Sequence, residues 1–205
     1  MERYLITQSL VAAWGYTFDC HEGGEQEAQA DFLRVLRREP GEQNEGMRNG
    51  LAFEKQVYLA AANVPRPPHP KWEAGIQAVA ARIKGAPSQV KVRRELTVGN
   101  MTFLVYGVLD ALKAGTIYDV KFSQKSLGSF NAYGKYLQSP QHSFYLYMVP
   151  EAQAFQYLLS DGSDLYVETY WRNQVRPAQE IIAEFICSIE SMGLLELYKE
   201  KWLAL

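Results

Sequence analysis

Charged residues interrupt two apolar segments in the middle of the chain. Residues 101–110 and 116–123 are rich in Val, Leu, Phe, Tyr and Ile, which predicts two strands joined by a short turn. Asp110 ends the first strand, and Asp119 and Lys121 lie two residues apart on the second, so both point to one face. Because an isolated charge is costly to bury among apolar side chains, the pattern predicts that these three residues share one polar site.

The remaining sequence predicts helices before and after this sheet. Thr7 and Ser139 are expected to cap helices, the second with Pro140 at its first position. Helices are expected at 7–17, 24–38, 47–63, 71–84, 140–148 and 177–202, and further strands at 89–98, 153–160 and 165–171. We therefore predict one domain over residues 1–205, an α/β (α+β) fold with a central mixed sheet flanked by helices.

Glu54 is the acidic residue that stands out on the third predicted helix. Leu51, Glu54, Val57, Tyr58 and Ala61 share one face by their i, i+3, i+4 spacing. A carboxylate is unexpected in such a stripe, so we expect Glu54 to belong to the same polar site.

Composition narrows the class of protein. Hydrophobic residues make up 47% of the chain and charged residues 21%, as in ordinary globular domains. No apolar run reaches the roughly 20 residues of a membrane span, and the N-terminus lacks the layout of a signal peptide, so a cytoplasmic location is expected. Cys20 and Cys187 are expected to be reduced thiols, too few for an iron–sulfur cluster. Any metal should therefore have oxygen ligands.

Basic residues form three local clusters in a chain with net charge −2. Each cluster is read either as a phosphate contact or as ordinary solvated surface. The clusters are Lys91, Arg93 and Arg94; Arg82 and Lys84; and Lys121, Lys125 and Lys135.

Carboxylates from three elements suit a hard divalent cation. Mg²⁺ prefers near-octahedral oxygen coordination, which Glu54, Asp110 and Asp119 can supply together with the backbone carbonyl of Val120. Lys121 beside the metal can orient or deprotonate an attacking water, or stabilise negative charge in the transition state.

Each of these residues also has an ordinary structural explanation. An Asp-x-Lys pair is common, Asp110 can simply begin a turn, and Glu54 lies on the helix surface if its face is assigned one residue out of place. Their order and spacing together favour a shared site.

The series resembles the PD-(D/E)xK nuclease superfamily, in its RecB-like and phage-exonuclease branch. The matching pieces are Gly50-Leu-Ala-Phe-Glu54, Gly107-Val-Leu-Asp110, Asp119-Val-Lys121 and Gln141-His-Ser-Phe-Tyr145, the last similar to the QxxxY motif of that branch. They span residues about 50 to 145. The resemblance implies a restriction-endonuclease-like core, with Mg²⁺ or Mn²⁺ bound by the acidic residues and hydrolysis assisted by the lysine. It implies that Gln141 and Tyr145 place the substrate or the lysine.

Histidines are where the chain departs from that pattern. Phe53 stands where many RecB-like members have a histidine, and His21 precedes this helix, so the number of metal ions stays open at one or two. His142 and Lys125 are candidate substrate contacts, whereas His69 lies in a proline-rich loop.

The function implied by the resemblance is a metal-dependent deoxyribonuclease. The leading expectation is an exonuclease on linear duplex DNA in phage-type recombination or repair, in a bacterial or phage-infected cell. A single-strand annealing protein and a homo-oligomer are the partners that go with it. The alternatives are a structure-selective endonuclease and a non-catalytic nucleic-acid-binding protein on the same fold.

Overall fold

The computed structural model describes residues 2–128 and 133–204. Their strands form one six-stranded mixed sheet with the order β1-β3-β4-β5-β6, and β2 pairs with the other edge of β3. Five of the strands were predicted, and the mixed sheet with flanking helices confirms the predicted fold class. The strands are β1 (Arg3–Thr7), β2 (Ser88–Val98), β3 (Met101–Lys113), β4 (Thr116–Phe122), β5 (Ala154–Ser160) and β6 (Leu165–Trp171).

Seven helices of the described chain cover the two faces of this sheet. They are α1 (Gln8–Asp19), α2 (Glu25–Leu36), α3 (Glu45–Ala61), α4 (Glu73–Ile83), α5 (Pro140–Met148), α6 (Ala178–Ser191) and α7 (Leu195–Lys201). Tyr157 and Leu158 are adjacent on β5 and therefore point to opposite faces. Tyr157 belongs to a large apolar core with α1, α2, α5, α6 and α7, and Leu158 to a smaller one with α3 and α4. The sheet thus lies between two helical layers.

Strand β1 was missed by the sequence analysis. It has only five residues and runs parallel to the first half of β3, with Arg3 paired to Thr102 and Thr7 to Tyr106. A strand this short that leads directly into a helix offers little alternation to detect. Thr7 both ends the strand and caps α1 by accepting a hydrogen bond from the Leu10 amide at 3.4 Å, which confirms its predicted role.

The edge of β3 opposite β2 has a gap between its two neighbours. Strand β1 pairs along this edge up to Tyr106, and β4 pairs only from Ala111 onward. Among the described residues, no strand pairs with residues 107–110 on this edge. The gap exposes backbone and side-chain groups of β3 to residues from both helical layers.

The C-terminal helix was predicted too long. The predicted single helix over 177–202 is two helices, α6 and α7, separated at Gly193. Gly193 has φ 70, and the amides of Gly193 and Leu194 donate to the carbonyls of Glu190 and Ile189 at 3.0 and 2.7 Å. This is the Schellman arrangement that ends a helix where a glycine adopts the left-handed conformation.

The predicted apolar face of α3 is only partly correct. Phe53 and Val57 are fully buried, whereas Leu51 is 53% exposed. Glu54 is half-buried at the border of this stripe.

Ser129, the end of the connecting stretch predicted after β4, lies outside the described residues. Within the part of the chain that the structure describes, no helix combines the length and apolar character needed to cross a membrane.

Candidate active site

Asp119 lies buried on β4 between a lysine and a glutamine. Its side chain points to the same face as that of Lys121, and Lys121 Nζ is 2.6 Å from Asp119 Oδ2. On the other side, Gln141 Nε2 of α5 donates a hydrogen bond to Asp119 Oδ1. Asp119 is only 4% exposed, so these two donors replace most of the water that a carboxylate would otherwise bind.

Asp110 occupies the gap between β3 and β4. Its Oδ2 accepts a hydrogen bond from the Val120 amide at 2.7 Å. The carboxylate thereby bridges strands whose backbone pairing stops at Ala111 and Tyr118. Asp110 and Asp119 therefore lie close enough for the charge of Asp119 to act on Asp110, as predicted for the two arms of the hairpin.

Glu54 reaches this region from α3, which lies on the other face of the sheet from α5. Its Oε1 accepts a hydrogen bond from Tyr58 Oη at 2.7 Å, one helical turn away. The same oxygen accepts from Gln89 Nε2 at 3.2 Å, and Gln89 Nε2 also lies 3.4 Å from Asp110 Oδ1. Glu54 is thus connected to Asp110 through a glutamine of β2.

Burial and like charges change the ionisation of this group. Burial raises the pKa of Asp110 to about 7, and the charges of Asp119 and Glu54 add to the effect. Burial by itself lowers the pKa of Lys121, but the ion pair with Asp119 outweighs it and the net pKa is raised. Lys121 is therefore a cationic hydrogen-bond donor to Asp119 in this arrangement.

Helix α5 is held against the sheet by its tyrosine and by an arginine. Tyr145 Oη donates to the Val108 carbonyl in the gap of β3 at 3.0 Å. Gly107 makes this approach possible, because a Cβ there would lie 2.3 Å from the Tyr145 ring. At the C-terminal end of α5, Arg172 donates to the carbonyls of Leu146 and Val149, both at 2.6 Å. The two residues of the QxxxY-like motif thus contact the strands that carry Asp119 and Asp110.

The two other predicted substrate contacts lie in different surroundings. Lys125 is exposed. Burial of Lys135 lowers the pKa of that lysine, and the charges of Lys121 and Lys125 lower it further. His142 is buried with its ring stacked on Tyr170, 4.2 Å between centroids. Burial lowers its pKa to about 4. Lys125 therefore belongs to a cationic border of the site, whereas His142 is packed as a neutral aromatic ring.

The basic cluster on β2 divides between the two faces of the sheet. Arg94 donates to the Tyr147 carbonyl at 2.9 Å and lies over the ring of that tyrosine. Lys91 and Arg93 are exposed on the opposite face, paired with Val108 and Tyr106 of β3. The three residues therefore do not form one cluster on a single face of the sheet.

A hard divalent cation fits the donor set, although the side chains are engaged elsewhere. Within the described ranges, no three acidic, histidine or cysteine side chains converge closely enough to hold a metal ion as they stand. Lys121 pairs with Asp119, and Gln89 donates to Glu54 and to Asp110. Asp119 Oδ2 is buried and has the Lys121 ammonium 2.6 Å away, but it accepts no hydrogen bond of regular geometry from the described residues. Buried carboxylate oxygens that repel one another are the ligands that Mg²⁺ or Mn²⁺ prefers.

Sequence reasoning did not identify Gln89 and Tyr58 as members of the site. Tyr58 was placed on the correct helix as a core residue, and its i, i+4 spacing from Glu54 was a usable signal. Gln89 offers no such signal, since it lies near the start of β2, 21 residues before Asp110, and meets Asp110 only through strand pairing.

Comparison with known proteins gives a structural match only. No protein-family model matches the sequence, and no curated protein matches it significantly. Among solved structures, LHK-Exo in complex with dAMP is similar with a TM-score of 0.53 and 13% sequence identity, over 96% of this chain and 92% of that one. This similarity shows a shared fold, in agreement with the predicted architecture.

Two further structures resemble the chain more weakly. SSO0001 matches with a TM-score of 0.46 and 15% identity over 94% of this chain and 77% of that one. Rai1 from Scheffersomyces stipitis matches with a TM-score of 0.38 and 12% identity over 92% and 61% of the two chains. Likeness at these scores supports no conclusion about this chain.

Proposed function

We propose that this chain is a metal-dependent nuclease that hydrolyses phosphodiester bonds in DNA. The observation that carries the proposal is the meeting of Glu54, Asp110, Asp119 and Lys121 at the gap between β3 and β4. Lys121 pairs with Asp119, and the charges of Asp119 and Glu54 both act on Asp110, so charged groups of one helix and two strands lie near one another. Such a group is destabilising to the fold through charge repulsion, which suggests that it serves chemistry.

The residues divide into those that hold a cation and those that act on the substrate. Glu54, Asp110, Asp119 and the Val120 carbonyl would hold Mg²⁺ or Mn²⁺, which when bound polarises a phosphate oxygen and lowers the pKa of water. Lys121 donates hydrogen bonds to the water or to a phosphate oxygen. Gln141 orients Asp119, and Tyr145 fixes α5 against β3.

The DNA backbone would approach along the exposed cationic residues. Lys125 and Lys135 border the site on one side. Lys91 and Arg93 extend along β2 from Gln89 with the i, i+2 spacing of one strand face, about 6–7 Å between successive side chains. Phosphate contacts of this kind position a duplex without reading its sequence.

We further propose an exonuclease that acts on linear duplex DNA. The support is the fold shared with the exonuclease LHK-Exo, whose structure holds a nucleotide, together with the motifs described above. A role in phage-type recombination, a strand-annealing partner and a homo-oligomer remain predictions from the resemblance.

A non-catalytic DNA-binding protein is the second candidate. It is favoured by one observation, that no three acidic, histidine or cysteine side chains of the described residues converge on a metal.

Cleavage of linear and of closed circular duplex DNA, side by side with Mg²⁺, Mn²⁺ or EDTA, tests the proposal. We expect metal-dependent loss of the linear substrate alone, abolished by Asp119→Asn and retained by Asp164→Asn, a matched change at an exposed aspartate of the β5–β6 turn. Cleavage of the circle would indicate an endonuclease. Binding of DNA without cleavage in any metal would refute the nuclease and support the second candidate.

A further inference from the structure

Gln89 adopts a backbone conformation that glutamine rarely takes. Its φ is 55, in the left-handed region, although it lies within β2. The pairs on either side, Ser88 with Ala111 and Val90 with Leu109, keep one continuous register. Gln89 therefore stands directly opposite Asp110, and the local backbone is strained at that one residue.

This strained conformation places the Gln89 amide among three acceptors. Nε2 lies 2.8 Å from Tyr58 Oη, 3.2 Å from Glu54 Oε1 and 3.4 Å from Asp110 Oδ1. Two of these acceptors are carboxylate oxygens, so the amide must present its nitrogen to them. One neutral donor thus connects an acidic residue of α3 with an acidic residue of β3.

The carboxylates of Glu54 and Asp110 belong to different elements, α3 and β3, and their like charges repel each other. Among the described residues, the Glu54 side chain is bound only by Tyr58, on its own helix, and by Gln89, on the sheet. Gln89 is therefore the group that turns Glu54 toward Asp110. Asp110 is anchored separately, because its Oδ2 accepts from the Val120 amide.

We propose that Gln89, supported by Tyr58, is a positioning residue that holds Glu54 and Asp110 together so that a divalent cation meets them preorganised. The inference rests on the proposed metal-dependent function, and it adds a residue that acts through the two carboxylates. Outer groups that orient metal ligands typically contribute 10- to 100-fold to metal affinity.

Gln89→Gly separates this role from a contribution to folding. Glycine adopts positive φ without strain, so this variant should be as thermostable as the wild type or more so. It also removes the amide, so the Kd for Mn²⁺ should rise about 10- to 100-fold. Ala114→Gly is the matched control, since Ala114 also has positive φ (49) in the β3–β4 turn. This variant should be as thermostable as the wild type or more so, with an unchanged Kd for Mn²⁺.

Mn²⁺ titration of the metal-free full chain by calorimetry, with Tm measured in parallel, decides the matter. A Kd for Gln89→Gly equal to that of the wild type would overturn the positioning role. Gln89→Glu keeps the chain length but offers no donor, so it should also bind Mn²⁺ more weakly. Tighter binding by Gln89→Glu would mean that an oxygen at this position ligates the metal directly, which contradicts the proposal.

The same titration separates failure of this inference from failure of the proposed function. Absence of Mn²⁺ binding by the wild type refutes the metal-dependent nuclease itself. Binding by the wild type that is lost in Asp119→Asn but unchanged in Gln89→Gly refutes the role of Gln89 alone.

Discussion

The ion pair between Asp119 and Lys121 should be asymmetric, so that losing the lysine destabilises the fold more than losing the aspartate. Asp119 is 4% exposed, whereas the Lys121 side chain is 32% exposed. Asp119→Asn leaves a lysine that water can reach. Lys121→Met leaves a buried carboxylate next to the charge of Asp110.

The size of each effect follows from burial. Removing one partner of a fully buried pair costs about 3–5 kcal/mol, and we expect Lys121→Met to lie near the lower end of that range. For Asp119→Asn, solvent screening of Lys121 reduces the cost to about 1–2 kcal/mol. Relief of the repulsion with Asp110 offsets part of this cost, which leaves a shift in Tm of about 2–4 °C for a chain of this size.

Urea denaturation followed by circular dichroism measures both free energies of unfolding in metal-free buffer. A double variant closes the cycle and should show a coupling energy of about 1–2 kcal/mol between the two positions. Mg²⁺ should restore part of the stability of Lys121→Met, because a bound cation takes over the compensating charge. Equal losses for the two single variants, or a larger loss for Asp119→Asn, would refute the reasoning.

Three other changes test separate parts of the structure. Gly107→Ala should cost about 1–3 kcal/mol and reduce nuclease activity, because its Cβ displaces Tyr145; unchanged denaturation and activity would contradict that contact. Acidification should destabilise the protein through His142, whose pKa is about 4 in the fold against about 6.5 in the unfolded chain, so that at most about 3 kcal/mol of stability is lost as the pH falls from 6.5 to 4. His142→Phe should flatten this part of the pH profile of the free energy of unfolding, and an unchanged profile would contradict a neutral buried ring. Lys91→Ala and Arg93→Ala should each lower the slope of log Kd for duplex DNA against log salt by about 1, and an unchanged slope would place the DNA elsewhere.

Local chemistry made much of the fold legible in the sequence. Alternating apolar residues predicted five of the six strands, and Thr7 and Ser139 marked two helix starts because their hydroxyls cap exposed amides. The mixed sheet between helices follows from the order of these elements. The interruption between α6 and α7 at Gly193 was missed because a hydrophobic face can continue through a Schellman turn.

The sequence by itself also predicted the acidic residues, the lysine and the QxxxY-like pair of the candidate site, since charges on apolar strands and an i, i+4 motif are visible without coordinates, but it did not identify Gln89 and Tyr58. Only the tertiary structure decided how they meet. The ending of the β3–β4 pairing at Ala111 opens the gap that Asp110 fills, and strand register brings Gln89 opposite Asp110. These contacts depend on register and on backbone strain, which are properties of paired strands and leave no local pattern in either one.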